Sequence, residues 1–345
     1  MSEIMVKLPD GSERALAAGS TVLDLATSIS RGLAKSAVAA EVSGVQSDLG
    51  RILQSGESVR IVTSDTDAGR HVLRHSTAHV LAQAVTRLYP GAKYTIGPAI
   101  EHGFYYDFDL SGRTFTEDDL ARVEEEMRAI IKADQPFVRS EIPIDSALEL
   151  FAEQTYKCEI IERVRHGSAD GADSAEVGGA AGTVSVYRNT DDFVDLCLGP
   201  HVPSTGRLGH FKLQKVSSAY WRGNEKGPVL QRIYGTAWES KAALEEHLHR
   251  LEEAEKRDHR KLAVELDLLS FPTELGGGLA VWHPKGATVR KLMEDYSRER
   301  HQRGGYQFVY TPHLSNANLF QTSGHLDFYA DGMYPPMEMD NGTYY

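Results

Sequence analysis

The sequence predicts an α+β protein that is built from several domains. Its 345 residues are too many for one small core, and chains of this length generally fold as two or three domains. Segments with apolar residues at helical spacing alternate with β-rich segments that glycine or proline interrupts. The polar, turn-rich stretch SDTDAGR at 64–70 separates the first group of predicted elements from the second.

The composition is typical of a globular protein, with 41% hydrophobic and 25% charged residues. No apolar run approaches the ~20 residues that span a bilayer, and the N-terminus resembles no secretory signal. Only Cys158 and Cys197 are present, so no disulfide framework is expected and the cytoplasm is the expected compartment. The formal net charge of −12 argues against indiscriminate coating of nucleic acid but does not exclude a local basic groove.

Residues 1–63 predict a compact, ubiquitin-sized α+β unit. Asp10–Gly11 lies between IMVKLP and SERALA and predicts a hairpin, because glycine accepts positive φ at low cost. The segment STVLDLATSIS predicts a short helix that Ser20 or Thr21 caps. AVAAEVSG and ESVRIVT predict further short strands.

The following regions alternate in predicted structure. Apolar residues from Arg70 to Leu88 predict an amphipathic helix, and the Gly/Ala/Ser-rich residues 167–184 predict a surface loop. Residues 240–264 predict one charged connecting helix. In the last region a helix is expected from Pro284 to the stop at Gly304, followed by a short strand in YQFVYTP.

Two short motifs carry potential chemistry. In HSTAHVLAQAV, His75 and His79 lie one helical turn apart and can share a ligand, and in DLCLGPHVP a turn holds Cys197 and His201. The four side chains suit a tetrahedral zinc site, or a hydrolytic site that activates water beside an ester, or ordinary packing. A zinc peptidase of the HExxH type is not expected, because Ser76 stands where that motif has glutamate.

A third segment, FKLQKVSSAYWRGNEKGPVLQRIYGTAW, interleaves cationic and aromatic side chains. This pattern suits the ends of single-stranded nucleic acids, where bases stack on aromatic rings and phosphates pair with cations. A solvated strand face with ordinary aromatic packing is the equally favoured alternative. The cations are Lys212, Lys215, Arg222, Lys226 and Arg232.

These motifs, with GPAIEHGFYYDFD, WHPKGATVRKLMEDYSRERHQRGGYQFVYTPH and TSGHLDFY, resemble the bacterial threonyl-tRNA synthetase family over the whole chain and in the same order. The resemblance implies a β-grasp TGS domain at 1–63 and an α+β editing domain, the threonyl/alanyl second additional domain, at 70–239. It further implies a linker helix at 240–264 and, at 265–345, the start of a class II catalytic domain with an antiparallel sheet.

The resemblance also implies a function. The family charges tRNA-Thr with threonine by using ATP and hydrolyses mischarged seryl-tRNA at an editing site. The residues that match this editing site are His75, His79, Cys197, His201, Asp195 and Lys157. A second pocket of this kind is needed, because one methyl group discriminates serine from threonine by only ~1–3 kcal/mol.

The implied cofactors are ATP with Mg²⁺ and one Zn²⁺ per subunit in the full-length family. The sequence ends at Tyr345, before the family's motifs 2 and 3 and its zinc ligands, so none of these groups is expected to be fully bound by this chain. We expect a truncated ligase sequence that retains mainly the editing part, with no tightly bound zinc at the editing site. The implied partners are tRNA-Thr and a second copy through motif 1, and no membrane.

Two alternatives remain open from the residues. One is a free-standing deacylase that clears seryl-tRNA in trans, since the editing region is complete while the synthetic region is not. The other is a non-catalytic RNA-binding regulator of the TGS type. Loss of deacylase activity on substitution of His75 and His79 would exclude the regulator.

Overall fold

The structure, a computed structural model of the 345-residue chain, describes residues 3–166, 177, 179 and 182–345. Most of the loop predicted at 167–184 therefore lies outside the described residues. The chain divides into two compact units, Met1–Glu252 and Glu253–Tyr345.

The first unit opens with two small antiparallel sheets and two short helices. The strands are β1 (Glu3–Lys7), β2 (Glu13–Ala17), β3 (Ala37–Val42), β4 (Val45–Ser47) and β5 (Val59–Thr63). The helices are α1 (Val22–Ile29) and α2 (Arg31–Ser36). β1 pairs with β2, and the other sheet has the order β4-β3-β5. The predicted hairpin is present, and Thr21 caps α1 in a capping box with Asp24.

Strand β3 is buried on both of its faces. Ala40 and Val42 pack with α1 in the core of these small sheets, whereas Val38 and Ala39 belong to the larger core that follows in the chain. Two covered faces explain why AVAAEV is a continuous apolar run instead of an alternating one. The small sheets are thereby packed against the rest of this unit.

The larger part of the unit combines two antiparallel sheets with helices. Its helices are α3 (Asp67–Leu88), α4 (Glu117–Lys132), α5 (Ile144–Leu150) and α6 (Thr155–Arg165). Its strands are β6 (Lys93–Tyr94), β7 (Ala99–Ile100), β8 (Gly103–Asp109), β9 (Val138–Pro143), β10 (Thr183–Thr190), β11 (Phe193–Leu196), β12 (His210–Tyr220) and β13 (Val229–Trp238). One sheet has the order β12-β13-β8-β6, with β7 on β8, and the other has the order β11-β10-β9.

Helix α3 lies at the centre of this unit. The sequence predicts an amphipathic helix, yet from Val72 to Val85 every side chain except that of His75 is buried. The reason is tertiary, because α3 packs against β8 and β13, against α4, and against β3 and β5. Polar residues on its outer face, such as Thr77 and Gln83, are therefore covered as well. The amphipathic interpretation was wrong for this helix.

Residues 240–264 form two helices instead of the single predicted one. α7 (Lys241–Lys256) ends before Asp258, which caps α8 (His259–Glu265) by accepting a hydrogen bond from Arg260 N–H. A side chain that caps a second helix requires extended backbone at its own position, and this interrupts the first helix.

The second unit is dominated by α9 (Pro284–Arg303), which begins at its proline and is followed by Gly304 as predicted. The short helices α10 (Ala317–Thr322) and α11 (His325–Phe328) follow it. Its strand pairs are β14 (Leu269–Ser270) with β15 (Val281–Trp282), and β16 (Met337–Met339) with β17 (Gly342–Tyr344).

The strand predicted in YQFVYTP is absent. Residues 306–312 adopt no regular structure, and within the described chain no strand lies beside them to complete a ladder. The apolar side chains of this segment, including Val309 and Tyr310, are exposed, and so are Leu292 and Met293 on α9. In the part of the chain that the structure describes, no helix is both long enough and apolar enough to cross a bilayer.

Candidate hydrolytic site

The two histidines of α3 and the turn after β11 meet at one point in the first unit. His75, His79, Cys197 and His201 each place a ligand atom within 4.8 Å of those of the others. The last three are almost fully buried, whereas His75 is partly exposed. The structure thus brings together both halves of the predicted site, which are more than 100 residues apart in sequence.

The three imidazole rings pack on one another. His79 lies edge-on to both neighbours, with ring centroids 4.9 Å from His75 and 4.2 Å from His201, while His75 and His201 stack at 4.5 Å. On its other side His201 stacks parallel to Phe137 at 4.6 Å. Each imidazole of the cluster is therefore in contact with at least two other rings.

Cys197 lies between two of these rings. Its Sγ atom is 3.0 Å from His75 Nε2 and 3.3 Å from His201 Nε2. Gly199 N–H also donates a hydrogen bond to the sulfur, at 3.2 Å. Cys197 is therefore a member of a polar network and not the small buried hydrophobe of the packing alternative.

Ser76 holds His201 from the helix side. Its Oγ atom lies 3.0 Å from His201 Nδ1 and accepts a hydrogen bond from Val202 N–H at 3.1 Å. A hydroxyl that already accepts from Val202 is free to donate its own hydrogen to the imidazole. Ser76, which stands where a zinc peptidase has glutamate, thus orients His201. The sequence analysis did not predict this role.

Lys157 and Asp195 form a buried ion pair next to the cluster. Lys157 Nζ is 2.6 Å from Asp195 Oδ1, and neither side chain exposes more than 1% of its surface. Tyr106 Oη donates to Asp195 Oδ2 at 2.7 Å and accepts from Lys157 Nζ at 3.4 Å. Both residues expected from the resemblance are therefore beside the histidines.

Tyr106 itself was missed by the sequence analysis. It alternates with Phe104 and Phe108 in GFYYDFD, and all three are fully buried on one face of β8. A buried tyrosine usually needs a hydrogen-bond partner for its hydroxyl group. The alternation of Tyr106 with two phenylalanines in GFYYDFD was therefore the sequence signal from which a polar partner could have been predicted.

Burial keeps the histidines neutral. Removal from solvent lowers the pKa of His75 and His201 well below the ordinary value, and neighbouring histidines lower both further. Burial, followed by the charge of Lys157, lowers the pKa of His79 to about 3. At neutral pH each imidazole is therefore a proton acceptor.

The donor set also fits a metal ion. One sulfur and three imidazoles within 4.8 Å match the ligand types and spacing of a tetrahedral zinc site. His79 Nδ1 is buried without a hydrogen bond. Asp195 Oδ2 lies 3.5 Å from this nitrogen, where the carboxylate that supports a metal-binding histidine would lie. The ligand types and their spacing are thus compatible with zinc, whereas the sequence analysis expects no tightly bound zinc at this site.

Three of the five cations of the basic and aromatic segment form ion pairs with acidic side chains of the protein. Lys212 pairs with Glu124, Arg222 with Glu159, and Arg232 with Asp107. The Arg232 guanidinium also lies 3.9 Å from the ring centroid of Tyr105. For these three side chains the contacts favour the strand-face alternative.

Comparison with known proteins places this geometry in context. Residues 4–63 match the TGS domain family, and residues 184–234 match the family described as the threonyl and alanyl tRNA synthetase second additional domain. The threonine–tRNA ligase of Thermobifida fusca is 52% identical over 97% of this chain and 51% of its own length. That of Streptomyces coelicolor is 49% identical over 100% of this chain and 53% of its own length.

Over almost its whole length the chain is similar to bacterial threonine–tRNA ligases. It corresponds to the N-terminal portion of these enzymes, and the resemblance predicted from the motifs is confirmed. A TGS domain and an editing-type domain with mixed α/β content and several antiparallel sheets are likewise confirmed. The chain spans about half the length of the curated relatives that it matches.

Proposed function

We propose that this chain hydrolyses mischarged seryl-tRNA, as the editing part of a threonine–tRNA ligase. The observation that carries the proposal is the convergence of His75, His79, Cys197 and His201 in one buried cluster. The match of residues 184–234 to the second additional domain of threonyl and alanyl tRNA synthetases supports it. We assign the editing domain to 70–239, the TGS domain to 1–63, the linker to 240–264 and the start of the class II catalytic domain to 265–345.

The chemistry is general-base hydrolysis of an ester. A water oxygen adds to the carbonyl carbon of the aminoacyl ester while a neutral imidazole takes its proton. The bond to the ribose oxygen then breaks, and the same proton passes to that oxygen, which leaves as a hydroxyl group. His75 suits the role of base, because it is the least buried member of the cluster and its lowered pKa leaves the imidazole unprotonated at neutral pH.

Lys157 supplies an ammonium group that its partners hold in place. Lys157 is fixed by Asp195 and Tyr106, so its ammonium group is preorganised near His79. A fixed cation stabilises the oxyanion that forms on the carbonyl oxygen more effectively than a mobile one, because no reorganisation is needed during reaction. Crowding by the packed rings favours serine over threonine, which carries one methyl group more.

For the whole ligase we propose threonine, ATP with Mg²⁺ and tRNA-Thr as reactants, one Zn²⁺ per subunit, and a homodimer through residues 265–345. The name shared by the relatives supports threonine and the tRNA as reactants. The exposed apolar residues Leu292, Met293, Val309 and Tyr310 are consistent with a covered surface in such an assembly.

The test is deacylation of seryl-tRNA-Thr and threonyl-tRNA-Thr by the purified chain. We expect faster loss of serine than of threonine, and a fall of ~100-fold or more for His75→Ala and Cys197→Ala. His71→Ala, on the same face of α3 one turn earlier, and Cys158→Ala are matched controls that should keep wild-type rates. Loss of serine no faster than in buffer, or equal losses in targets and controls, would contradict the proposal.

A further inference from the structure

A carboxylate from the N-terminal sheets reaches the turn that carries His201. Asp48 follows β4, and its Oδ1 atom accepts a hydrogen bond from His201 N–H at 2.8 Å. Its Oδ2 atom accepts another from Tyr187 Oη at 2.7 Å. One side chain therefore fastens the backbone of a site residue and a tyrosine of β10 at the same time.

The tyrosine is itself part of the support for His201. The fully buried ring of Tyr187 packs edge-on against the His201 imidazole, with centroids 4.4 Å apart. A Cβ atom at Gly199 would approach Tyr187 Oη to 2.0 Å, which shows how closely the turn covers the hydroxyl. Asp48 thus controls His201 by two routes, through its backbone and through the ring beside it.

We propose that Asp48 is a positioning residue of the hydrolytic site, so that the TGS domain completes the editing pocket. The inference rests on the proposed function and deepens it by naming a group outside the editing-type domain. Both oxygens of Asp48 are engaged by His201 N–H and Tyr187 Oη, so we assign this carboxylate no contact with the ester. It acts by holding His201, and with it Cys197, in reactive geometry.

The position of Asp48 is fixed by its own surroundings. Leu49, the next residue, is buried in the core of the small sheets. Val38 and Ala39 of β3 pack in the same core as α3, which bears the other two site histidines. Arg207, beyond the His201 turn, also donates hydrogen bonds to the carbonyl oxygens of residues 34 and 35. The carboxylate is therefore presented by a rigid surface.

The experiment compares Asp48→Ala, Asp48→Asn and Asp10→Ala in the full chain by steady-state deacylation of seryl-tRNA-Thr. For Asp48→Ala we expect kcat to fall about tenfold or more with KM within about twofold, since misplaced catalytic groups slow the chemical step. Asparagine should restore most of kcat, because its amide oxygen can accept from His201 and its amide hydrogens can bond Tyr187. Asp10 is the matched control, as its carboxylate accepts hydrogen bonds from Ser12 in its own turn.

A spectroscopic readout makes the inference independent of the rate. The His201 backbone amide should resonate downfield in the wild-type chain, because it donates to a carboxylate, and should move upfield in both Asp48 variants but not in Asp10→Ala. An unmoved resonance, an unchanged kcat in Asp48→Ala or an equal loss in Asp10→Ala would overturn the inference. If the wild-type chain leaves seryl-tRNA intact, the proposed function fails, and the amide resonance alone decides the positioning role.

Discussion

Lys157 Nζ and Asp195 Oδ1 lie 2.6 Å apart, with both side chains buried beside the histidine cluster. Removing two charges from water is costly, and their attraction offsets this cost only while both partners are present. The pair also places a fixed cation close to His79, whose pKa it helps to lower. Such a pair is expensive as a purely structural device, which is consistent with a functional role.

The first prediction concerns this pair. Lys157→Met leaves Asp195 as an unpaired buried charge and should lower the free energy of unfolding by about 3–5 kcal/mol. The double variant Lys157→Met with Asp195→Leu should recover most of this stability, yet remain inactive in deacylation. Urea unfolding and seryl-tRNA hydrolysis measure the two effects. Recovery of activity together with stability would show that the pair is structural only.

The second prediction concerns pH. A lowered pKa means that the neutral imidazole persists to lower pH. His75, His79 and His201 should therefore still be unprotonated at pH 6.5 and become protonated only at lower pH. The rate of deacylation, corrected for spontaneous hydrolysis and measured with EDTA, should therefore show no acidic limb centred near pH 6.5. The limb should appear only toward lower pH, with His79 titrating near 3. A midpoint at the ordinary histidine value would contradict the burial of the cluster.

Part of the site is predictable from sequence for a local reason. The i, i+4 spacing of His75 and His79 fixes their shared helix face, and the Gly199–Pro200 turn places Cys197 and His201 within one short loop. The supporting groups are not predictable in this way. Asp48 and His201 meet across 153 positions, and no local pattern encodes such a pairing.

The same distinction explains the errors in the fold. Helical periodicity identifies α3, but its polar residues are buried by strands and a helix that come from three other regions of the chain. The segment YQFVYTP has strand-forming residues, yet a strand forms only when another backbone satisfies its hydrogen bonds. The helical preference of its residues was sufficient to predict α9, because the backbone hydrogen bonds of a helix lie within the helix itself. The strand preference of residues 306–312 was not sufficient, because a strand needs a partner strand.

The third prediction concerns the turn. Gly199 has φ +80° and no room for a Cβ atom beneath Tyr187, so Gly199→Ala strains the backbone and displaces the tyrosine. We expect a loss of about 1–3 kcal/mol in stability and at least a tenfold fall in deacylation. Gly209→Ala is the control, since a Cβ atom there meets no atom within 4 Å. Equal effects of the two changes on the rate of hydrolysis would show that the turn at Gly199 has no specific role in the reaction.

The fourth prediction concerns metal. The donor set fits zinc, but Cys197 Sγ accepts a hydrogen bond from Gly199 N–H and lies 3.0 Å and 3.3 Å from the Nε2 atoms of His75 and His201, so three of the four side chains already contact one another without a metal. We therefore expect the purified chain to contain well below one zinc per chain and to keep its deacylase rate after dialysis against EDTA. Elemental analysis of the wild-type chain, of Cys197→Ser and of the control Cys158→Ser provides the measurement. The prediction is wrong if the wild-type chain contains about one zinc that Cys197→Ser loses and Cys158→Ser retains, since the four residues would then form a metal centre. A deacylation rate that falls with EDTA and returns with zinc would show that this centre is catalytic.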